Sequence, residues 1–106
     1  EPRSNTTRRN IFQVDLALAL KKADFVVIPA VPDPEKVAKN ERLDPEKLVA
    51  DISTDGVKAW YLGEVAEIVT HVSSVAKEGD VIAVLSNGGF GGIHEKLLSS
   101  LADKSA

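Results

Sequence analysis

The chain has 106 residues, which is the size of one domain. Its 43% hydrophobic and 27% charged residues are typical of a globular domain, and a net charge of −3 argues against nucleic acid as the main partner. Without cysteine the chain can form neither a disulfide nor a cysteine zinc site, and its two separated histidines are a poor start for any other metal site. No apolar run is long enough for a membrane span and no signal-peptide pattern opens the chain, so the sequence predicts a cytoplasmic protein.

The first part of the chain predicts a helix followed by a buried strand. A candidate cap at Thr7 precedes apolar residues at fourfold spacing from Phe12 to Leu20, which predicts a helix to about Lys22. Residues 25–29, with the sequence FVVIP, then predict a short strand that is buried on both faces and stopped by proline. A helix that leads into a continuous apolar strand is typical of a parallel sheet.

The tetrapeptide Asp-Pro-Glu-Lys occurs twice, at residues 33–36 and 44–47. In each copy Asp suits the helix cap, Pro suits the first helical position, and Glu suits the positive end of the helix dipole. Both copies therefore predict helix starts. An internal duplication is the alternative interpretation, although the flanking residues do not extend the match.

The second part continues the alternation of helices and strands. It predicts a strand at 57–62, a helix at 63–77, a strand at 80–85 and a final helix that carries apolar residues from 93 to 101. The sum predicts a single α/β domain with a Rossmann-like, mostly parallel sheet flanked by helices. A chain of this kind normally opens on a strand, so we expect the first strand to be missing or truncated before Glu1 and one sheet edge to be partly uncovered. The start without methionine favours an excised piece of a longer protein.

The stretch SNGGFGGIHEKLL places four glycines between the third predicted strand and the last helix. Such a loop presents backbone N–H groups to an anion, so Ser86 to Gly92 are a candidate cradle for a carboxylate or phosphate. Its glycine spacing fits no nucleotide-binding fingerprint. A turn that only allows close helix packing is the alternative, and Phe90 argues against it, because packing alone would not call for an aromatic there. His94 is expected to be exposed or capping rather than a catalytic base.

The opening stretch EPRSNTTRRN is the second candidate, because it places Arg3, Arg8 and Arg9 close together. After a first strand, this stretch would emerge at the same sheet edge as the glycine loop. Arginine side chains at that edge would suit carboxylates or phosphates. A frayed, solvated terminus is the alternative.

Taken together, EPRSNTTRRN and SNGGFGGIHEKLL resemble the carboxyl-terminal domain of the Mur ligase family, and the similarity extends to ADFVVIP and GDVIAVLSNGG. The resemblance implies that residues 1–106 are the third, peptide-receiving domain of a three-domain enzyme. It implies that ATP and Mg²⁺ act in the full-length enzyme and are bound mainly outside this domain, so that the isolated domain is inactive.

The resemblance also implies an activity. The members that the chain resembles join UDP-N-acetylmuramate to the tripeptide L-alanyl-γ-D-glutamyl-meso-diaminopimelate through an acyl phosphate, in recycling of cell-wall peptide. The expected partners are that tripeptide and, through the other domains, UDP-N-acetylmuramate, with neither nucleic acid nor membrane. One alternative is a free-standing Rossmann-like module that binds a small ligand or regulates, and another is that the glycine loop serves as an interaction surface.

Carried over by position, the resemblance implies a substrate-binding set, no catalytic residue and no metal ligand in this domain. Asn5 is expected to face the nucleotide. Arg42 lies where related ligases place amino-acid-binding arginines, but a solvated surface arginine is an equal alternative. Arg8 is not carried over. The expected substrate-binding residues are Arg3, Ser4, Thr6, Arg9, Arg42, Ser86, Asn87, Gly88 and Gly89.

Overall fold

The computed structural model describes residues 1–4, 6–86 and 88–105. In chain order these form helix α1 (Gln13–Leu20), strand β1 (Phe25–Ile28), helix α2 (Pro45–Ser53), strand β2 (Lys58–Tyr61), helix α3 (Val65–Val75) and helix α4 (Ile93–Ser105). Single 3-10 turns lie at Pro34–Lys36, Lys39–Glu41 and Phe90–Gly92. None of the helices in the described ranges is both long and apolar enough to cross a lipid bilayer.

Strands β1 and β2 pair in parallel, with a register that runs from Phe25 opposite Lys58 to Ile28 opposite Tyr61. The connection between them contains α2, which is the crossover that a parallel pair requires. Among the described residues the sheet consists of these two strands. The predicted α/β, Rossmann-like fold with a parallel sheet and flanking helices is confirmed.

One face of the sheet packs on α1 and α2. Val26 and Ile28 point to this face, since alternate residues of a strand point the same way. They pack with Ala17 of α1 and with Leu48 and Ile52 of α2, which lie four residues apart and are both fully buried. This spacing explains why an apolar stripe on a short helix is enough to fix α2 against the strands.

The opposite face packs on α3 and α4. Val27, which alternates with Val26, contacts a second cluster built from Ile68 of α3 and from Ile93 and Leu97 of α4. The sheet is therefore covered by helices on both faces. Because both faces are covered, the sequence of β1 is a continuous apolar run and does not alternate between apolar and polar residues.

The first helix begins later than predicted. The described residues before Gln13 form turns, and Thr7 is not the helix cap. The Thr7 hydroxyl instead accepts a hydrogen bond from the Ser4 N–H at 3.0 Å, and the Thr7 N–H donates to the Ser4 hydroxyl at 3.0 Å. These reciprocal bonds close a local turn, a known competitor of helix formation for Ser and Thr.

Only one copy of Asp-Pro-Glu-Lys starts an α-helix. The Asp44 carboxylate accepts from the Lys47 N–H at 3.1 Å and caps α2, as predicted. The prediction for the other copy is wrong, because Asp33 has a left-handed backbone (φ 49°), makes no cap hydrogen bond and precedes a single 3-10 turn. The Asp33 carboxylate lies 3.6 Å from Arg8 instead, so a contact distant in sequence takes the place of the local cap.

The predicted third strand at 80–85 is also wrong for this structure, because these residues join no ladder. Val84 packs on the second cluster, but Val81 is 92% exposed and Leu85 is 66% exposed. A strand needs a backbone partner, and no strand in the described ranges lies beside this segment. The far edge of β1 is likewise unpaired among the described residues, which agrees with the expected uncovered sheet edge.

Candidate functional site

The opening segment and the glycine loop meet at one point, here named the Arg3 corner and made of Glu1, Arg3, Ser86 and Gly88. One carboxylate oxygen of Glu1, Oε1, accepts from Arg3 Nε at 3.0 Å and from the Ser86 hydroxyl at 3.0 Å. The Ser86 Oγ in turn accepts from the Gly88 N–H at 3.1 Å. The sequence predicted that these two segments would emerge together, and the structure brings them together.

The Arg3 corner already holds a carboxylate. The Glu1 side chain is only 11% exposed, whereas Arg3 is 41% exposed and still reachable from solvent. A guanidinium and a hydroxyl that donate to the same carboxylate oxygen make a charge-assisted arrangement. The corner is therefore built from the donor types that recognise a carboxylate.

The Glu1 amino group holds the same region from the other side. It donates to the Leu85 carbonyl oxygen at 2.6 Å. The nitrogen and the carboxylate of Glu1 thus tie the opening segment to Leu85 and Ser86.

The glycines of the loop serve different purposes. A β-carbon on Gly88 would collide with the Arg3 side chain, its distance from Arg3 Nε being only 2.5 Å, so a glycine is needed for Arg3 to lie across the loop. Gly91 and Gly92 have left-handed backbones, with φ values of 58° and 71°, and lead into α4. Gly89 has an ordinary φ of −71° and open space around it.

Phe90 has a packing role that the sequence analysis did not expect. It is 6% exposed and belongs to the second core cluster with Ile68, Ile93 and Leu97. Its backbone is left-handed, with φ 46°, which is unusual for a residue with a side chain. The aromatic among the glycines therefore anchors the loop on the core, and the argument that packing alone would not need it is wrong.

Arg9 and Arg42 lie side by side and have partners other than the residues of the Arg3 corner. Their backbones form an isolated antiparallel bridge. Arg9 pairs with Glu41 at 3.2 Å, and the Arg42 Nε donates to the Val37 carbonyl at 3.0 Å. The structure thus separates the predicted substrate-binding arginines into two groups, Arg3 at the glycine loop and Arg9 with Arg42 near the loop that follows β1.

The remaining predicted residues take other positions. Ser4 uses its hydroxyl within the turn with Thr7, and Thr6 is exposed. Asn5 and Asn87 lie outside the described residues. His94 is exposed, which is one of the two positions expected for it.

Arg8, which the sequence analysis did not carry over, is the buried arginine of the opening segment. Its side chain is 7% exposed, and its Nε donates to the Pro32 carbonyl at 2.9 Å. Arg8 and Arg9 stand next to each other in the sequence, and no local pattern distinguishes the buried one from the one at the surface. Only the fold, which places Arg8 under the loop after β1, reveals the difference.

The polar groups of the Arg3 corner differ in kind from a cluster of metal-ligating side chains. No group of three or more His, Cys, Asp or Glu side chains within it could hold a metal ion. The Arg3 corner offers a guanidinium, a hydroxyl and a glycine loop, which suit a carboxylate or a phosphate oxygen.

Two curated proteins are similar to this chain along nearly all of it. One is the UDP-N-acetylmuramate–L-alanyl-gamma-D-glutamyl-meso-2,6-diaminoheptandioate ligase of Escherichia coli (strain K12), which is 40% identical in a match 108 residues long, and the match covers 98% of this chain. The other is the ligase of the same name from Haemophilus influenzae (strain ATCC 51907 / DSM 11121 / KW20 / Rd), 37% identical over 105 residues that cover 95% of this chain. The resemblance to Mur ligases is thereby confirmed.

The matched region is a small part of each relative. The chain spans 21% of the length of the Escherichia coli ligase and 20% of the length of the Haemophilus influenzae ligase. No family model matches the chain. No solved structure matches it either.

Proposed function

We propose that this chain, which resembles ligases of UDP-N-acetylmuramate along nearly all its length, is the peptide-receiving domain of a three-domain, ATP-dependent ligase. The full enzyme would join UDP-N-acetylmuramate to L-alanyl-γ-D-glutamyl-meso-diaminopimelate in the cytoplasm, as a step of cell-wall peptide recycling. The similarity to two ligases named for these substrates supports the reaction class. The Arg3 corner supports the role within it.

The observation that carries the proposal is that Arg3 and Ser86 both donate a hydrogen bond to the Glu1 carboxylate. The tripeptide is rich in carboxylates, and the same donors could hold one of them in place of Glu1. Gly88 lets Arg3 cross the glycine loop, so the guanidinium and the loop act on one oxygen together. Because Arg3 is partly exposed, an incoming carboxylate can reach it.

In the proposed reaction the lactyl carboxylate of the sugar first attacks the terminal phosphorus of ATP, which forms the acyl phosphate and releases ADP. The amino group of the tripeptide attacks the resulting acyl phosphate, an amide bond forms, and inorganic phosphate leaves with the electrons of the broken C–O bond, while the amine gives up a proton. This chain would hold the tripeptide so that its amine reaches the acyl carbon. Such positioning can be worth several kcal/mol, of the order of 7 to 11 in well-oriented systems.

The test is ATP-dependent joining by the full-length parent protein. We expect the Arg3→Ala, Ser86→Ala double variant to raise the KM for the tripeptide by about tenfold or more, since it removes two donors to a charged acceptor. The KM for ATP should change little. Lys39→Gln is a matched control, because it also removes one positive charge but from an exposed side chain that is not part of the corner.

Each outcome separates the interpretations. Joining that depends on Arg3 and Ser86 supports the peptide-receiving role. If joining does not depend on Arg3 or Ser86, the assignment as a ligase stands, but the Arg3 corner is not part of its binding site. No joining by a correctly folded parent, or a native polypeptide no longer than this domain, favours the free-standing Rossmann-like module that binds a small ligand.

A further inference from the structure

A cavity at the carboxyl end of the sheet is lined by two arginines and by none of the residues of the Arg3 corner. It has a volume of about 250 Å³, and its lining includes Arg8, Arg42 and Tyr61 with Val31, Pro34 and Leu43. Tyr61 is the last residue of β2, and Val31 follows β1 by three positions. Open parallel sheets bind ligands beyond the carboxyl ends of their strands, which is where this arginine cavity is.

Arg8 brings a buried positive charge that is incompletely neutralised. A buried guanidinium is costly unless carboxylates and hydrogen bonds satisfy it. Arg8 Nε donates to the Pro32 carbonyl, but the carboxylate contact, from Arg8 to Asp33, is 3.6 Å and therefore longer than a hydrogen bond. The remaining guanidinium N–H groups are available for a further acceptor.

Asp33 cannot neutralise the cavity by itself. Its side chain is about half exposed, and the same carboxylate oxygen that faces Arg8 also lies 3.7 Å from Lys36. The single carboxylate of Asp33 is therefore shared between two cations, Arg8 and Lys36. Arg42 adds a third cation, and no carboxylate among the described side chains lies within 4.0 Å of its guanidinium.

The backbone holds both arginines in place from outside the cavity. Arg8 is held through the Pro32 carbonyl and Arg42 through the Val37 carbonyl at 3.0 Å, in each case by the Nε–H. An arginine anchored by Nε keeps its two terminal nitrogens for a ligand. The guanidinium groups of Arg8 and Arg42 are therefore preorganised in one cavity, which reduces the entropy lost when an anion binds.

The rest of the lining limits the kind of anion. Val31, Pro34 and Leu43 are apolar, so the ligand needs an aliphatic stem beside its charge. Tyr61 can donate from its hydroxyl. A volume of about 250 Å³ lies below the ordinary range for drug-sized ligands, so a nucleotide is too large and a short carboxylate chain is the right size.

We propose that the arginine cavity binds a carboxylate on a short aliphatic stem, with Arg8 and Arg42 as its guanidinium partners and Tyr61 as a further donor. The inference rests on the proposed function for the identity of the ligand, where it assigns a second carboxylate of the peptide to this cavity. Together with the Arg3 corner, the chain then recognises two separate carboxylates. The chain should therefore prefer a peptide that has one carboxylate for the Arg3 corner and another for the arginine cavity.

The first experiment measures binding directly and needs no ligase activity. The 106-residue chain is titrated with glutarate, a dicarboxylate with a three-carbon stem, and with glutaramide, its uncharged analogue, while the arginine Nε–Hε signals are followed by NMR. We expect glutarate to shift the Arg8 and Arg42 signals and glutaramide to leave them unchanged. Equal responses to both compounds, or no response, would overturn the proposal.

The second experiment uses conservative variants of the full-length parent. Tyr61→Phe removes one hydroxyl from a partly exposed side chain, and Arg8→Lys keeps the charge but loses the fork. Both should raise the KM for the tripeptide, Arg8→Lys by about tenfold or more, with kcat little changed. Both should also narrow the preference for the tripeptide over its carboxyl-terminal amide, a change that a purely structural role would not produce.

The controls keep every result informative. Lys39→Gln removes an exposed charge and should leave the KM and the acid-over-amide preference unchanged. If Arg8→Lys fails to fold, Tyr61→Phe and Arg42→Lys still decide the question. Glutarate binding that depends on Arg8 in a protein without ligase activity would support the arginine cavity and reject the proposed function. An active ligase whose preference for the tripeptide over its amide is unchanged in all variants would support the proposed function and reject the cavity.

Discussion

The side-chain amide of Gln13 pairs with both backbone groups of Asp44. Gln13 Oε1 accepts from the Asp44 N–H at 3.0 Å, and Gln13 Nε2 donates to the Asp44 carbonyl at 3.1 Å. Gln13 is buried at the start of α1, and Asp44 caps α2. One side chain therefore fixes the first turn of α1 against the cap of α2, just beyond the segment that carries Arg42.

Gln13→Ala should lower the free energy of unfolding by about 1 to 3 kcal/mol, because it leaves the Asp44 N–H without its partner. The Asp44 carbonyl loses one donor but still accepts from the Leu48 N–H at 2.9 Å. Gln13→Glu should fall between wild type and Gln13→Ala, since a carboxylate can accept from the N–H but cannot donate to the carbonyl. Urea unfolding of the three proteins measures this order. An equal stability of Gln13→Ala and wild type would mean that water replaces the amide without cost.

Leu48→Ala should lower the free energy of unfolding by about 2 to 5 kcal/mol, because Leu48 is fully buried between α2 and the sheet and its loss leaves a cavity. Leu98→Ala makes the same chemical change on α4 at a side chain that is 69% exposed. We expect this control to stay within about 0.5 kcal/mol of wild type. Chemical denaturation compares the two, and similar losses would contradict the described packing.

Gly91→Ala should destabilise the chain more than Gly56→Ala. Both glycines have left-handed backbones, with φ of 58° and 83°, where a β-carbon costs about 1 to 2 kcal/mol. A β-carbon on Gly91 would also lie 3.0 Å from Val65 Cγ2, whereas nothing lies within 4 Å of one on Gly56. Thermal unfolding of the pair isolates the contact with Val65, and equal melting temperatures would show that Val65 yields without strain.

Gly88→Ala should displace Arg3 from Glu1, because the added β-carbon occupies the space of the Arg3 side chain. Since Arg3 is partly exposed and can move, stability should change by less than about 0.5 kcal/mol. The Arg3 Nε–Hε signal in NMR reports the loss of its hydrogen bond. Gly89→Ala should leave that signal in place, because its β-carbon would meet no atom within 4 Å.

The segment 81–86 should promote self-association of the 106-residue chain, because Val81 and Leu85 are exposed apolar residues in a segment that pairs with no strand in the described ranges. The Val81→Lys, Leu85→Lys double variant should stay monomeric at higher concentration in sedimentation velocity. Leu98→Lys, which places the same charge at another exposed leucine, is the control. Equal association of all three proteins would show that this segment is not the contact.

The sequence by itself determined the elements whose pattern is local. The apolar runs of β1 and β2, the stripes of α2 to α4 and the Asp44 cap are all where the pattern predicts them, because each depends on residues within a few positions. The two motifs that carry the resemblance also lie near each other in space, at the Arg3 corner.

The tertiary structure alone decided what depends on a distant partner. Residues 80–85 have the composition of a strand but find no neighbouring backbone in the described ranges, and Asp33 turns from a helix cap towards Arg8. Arg8 and Arg9 are adjacent and chemically identical, yet the fold buries one beneath the loop after β1 and leaves the other at the surface beside Glu41. Burial and pairing are properties of the whole chain, and these residues take their roles from contacts that sequence spacing does not encode.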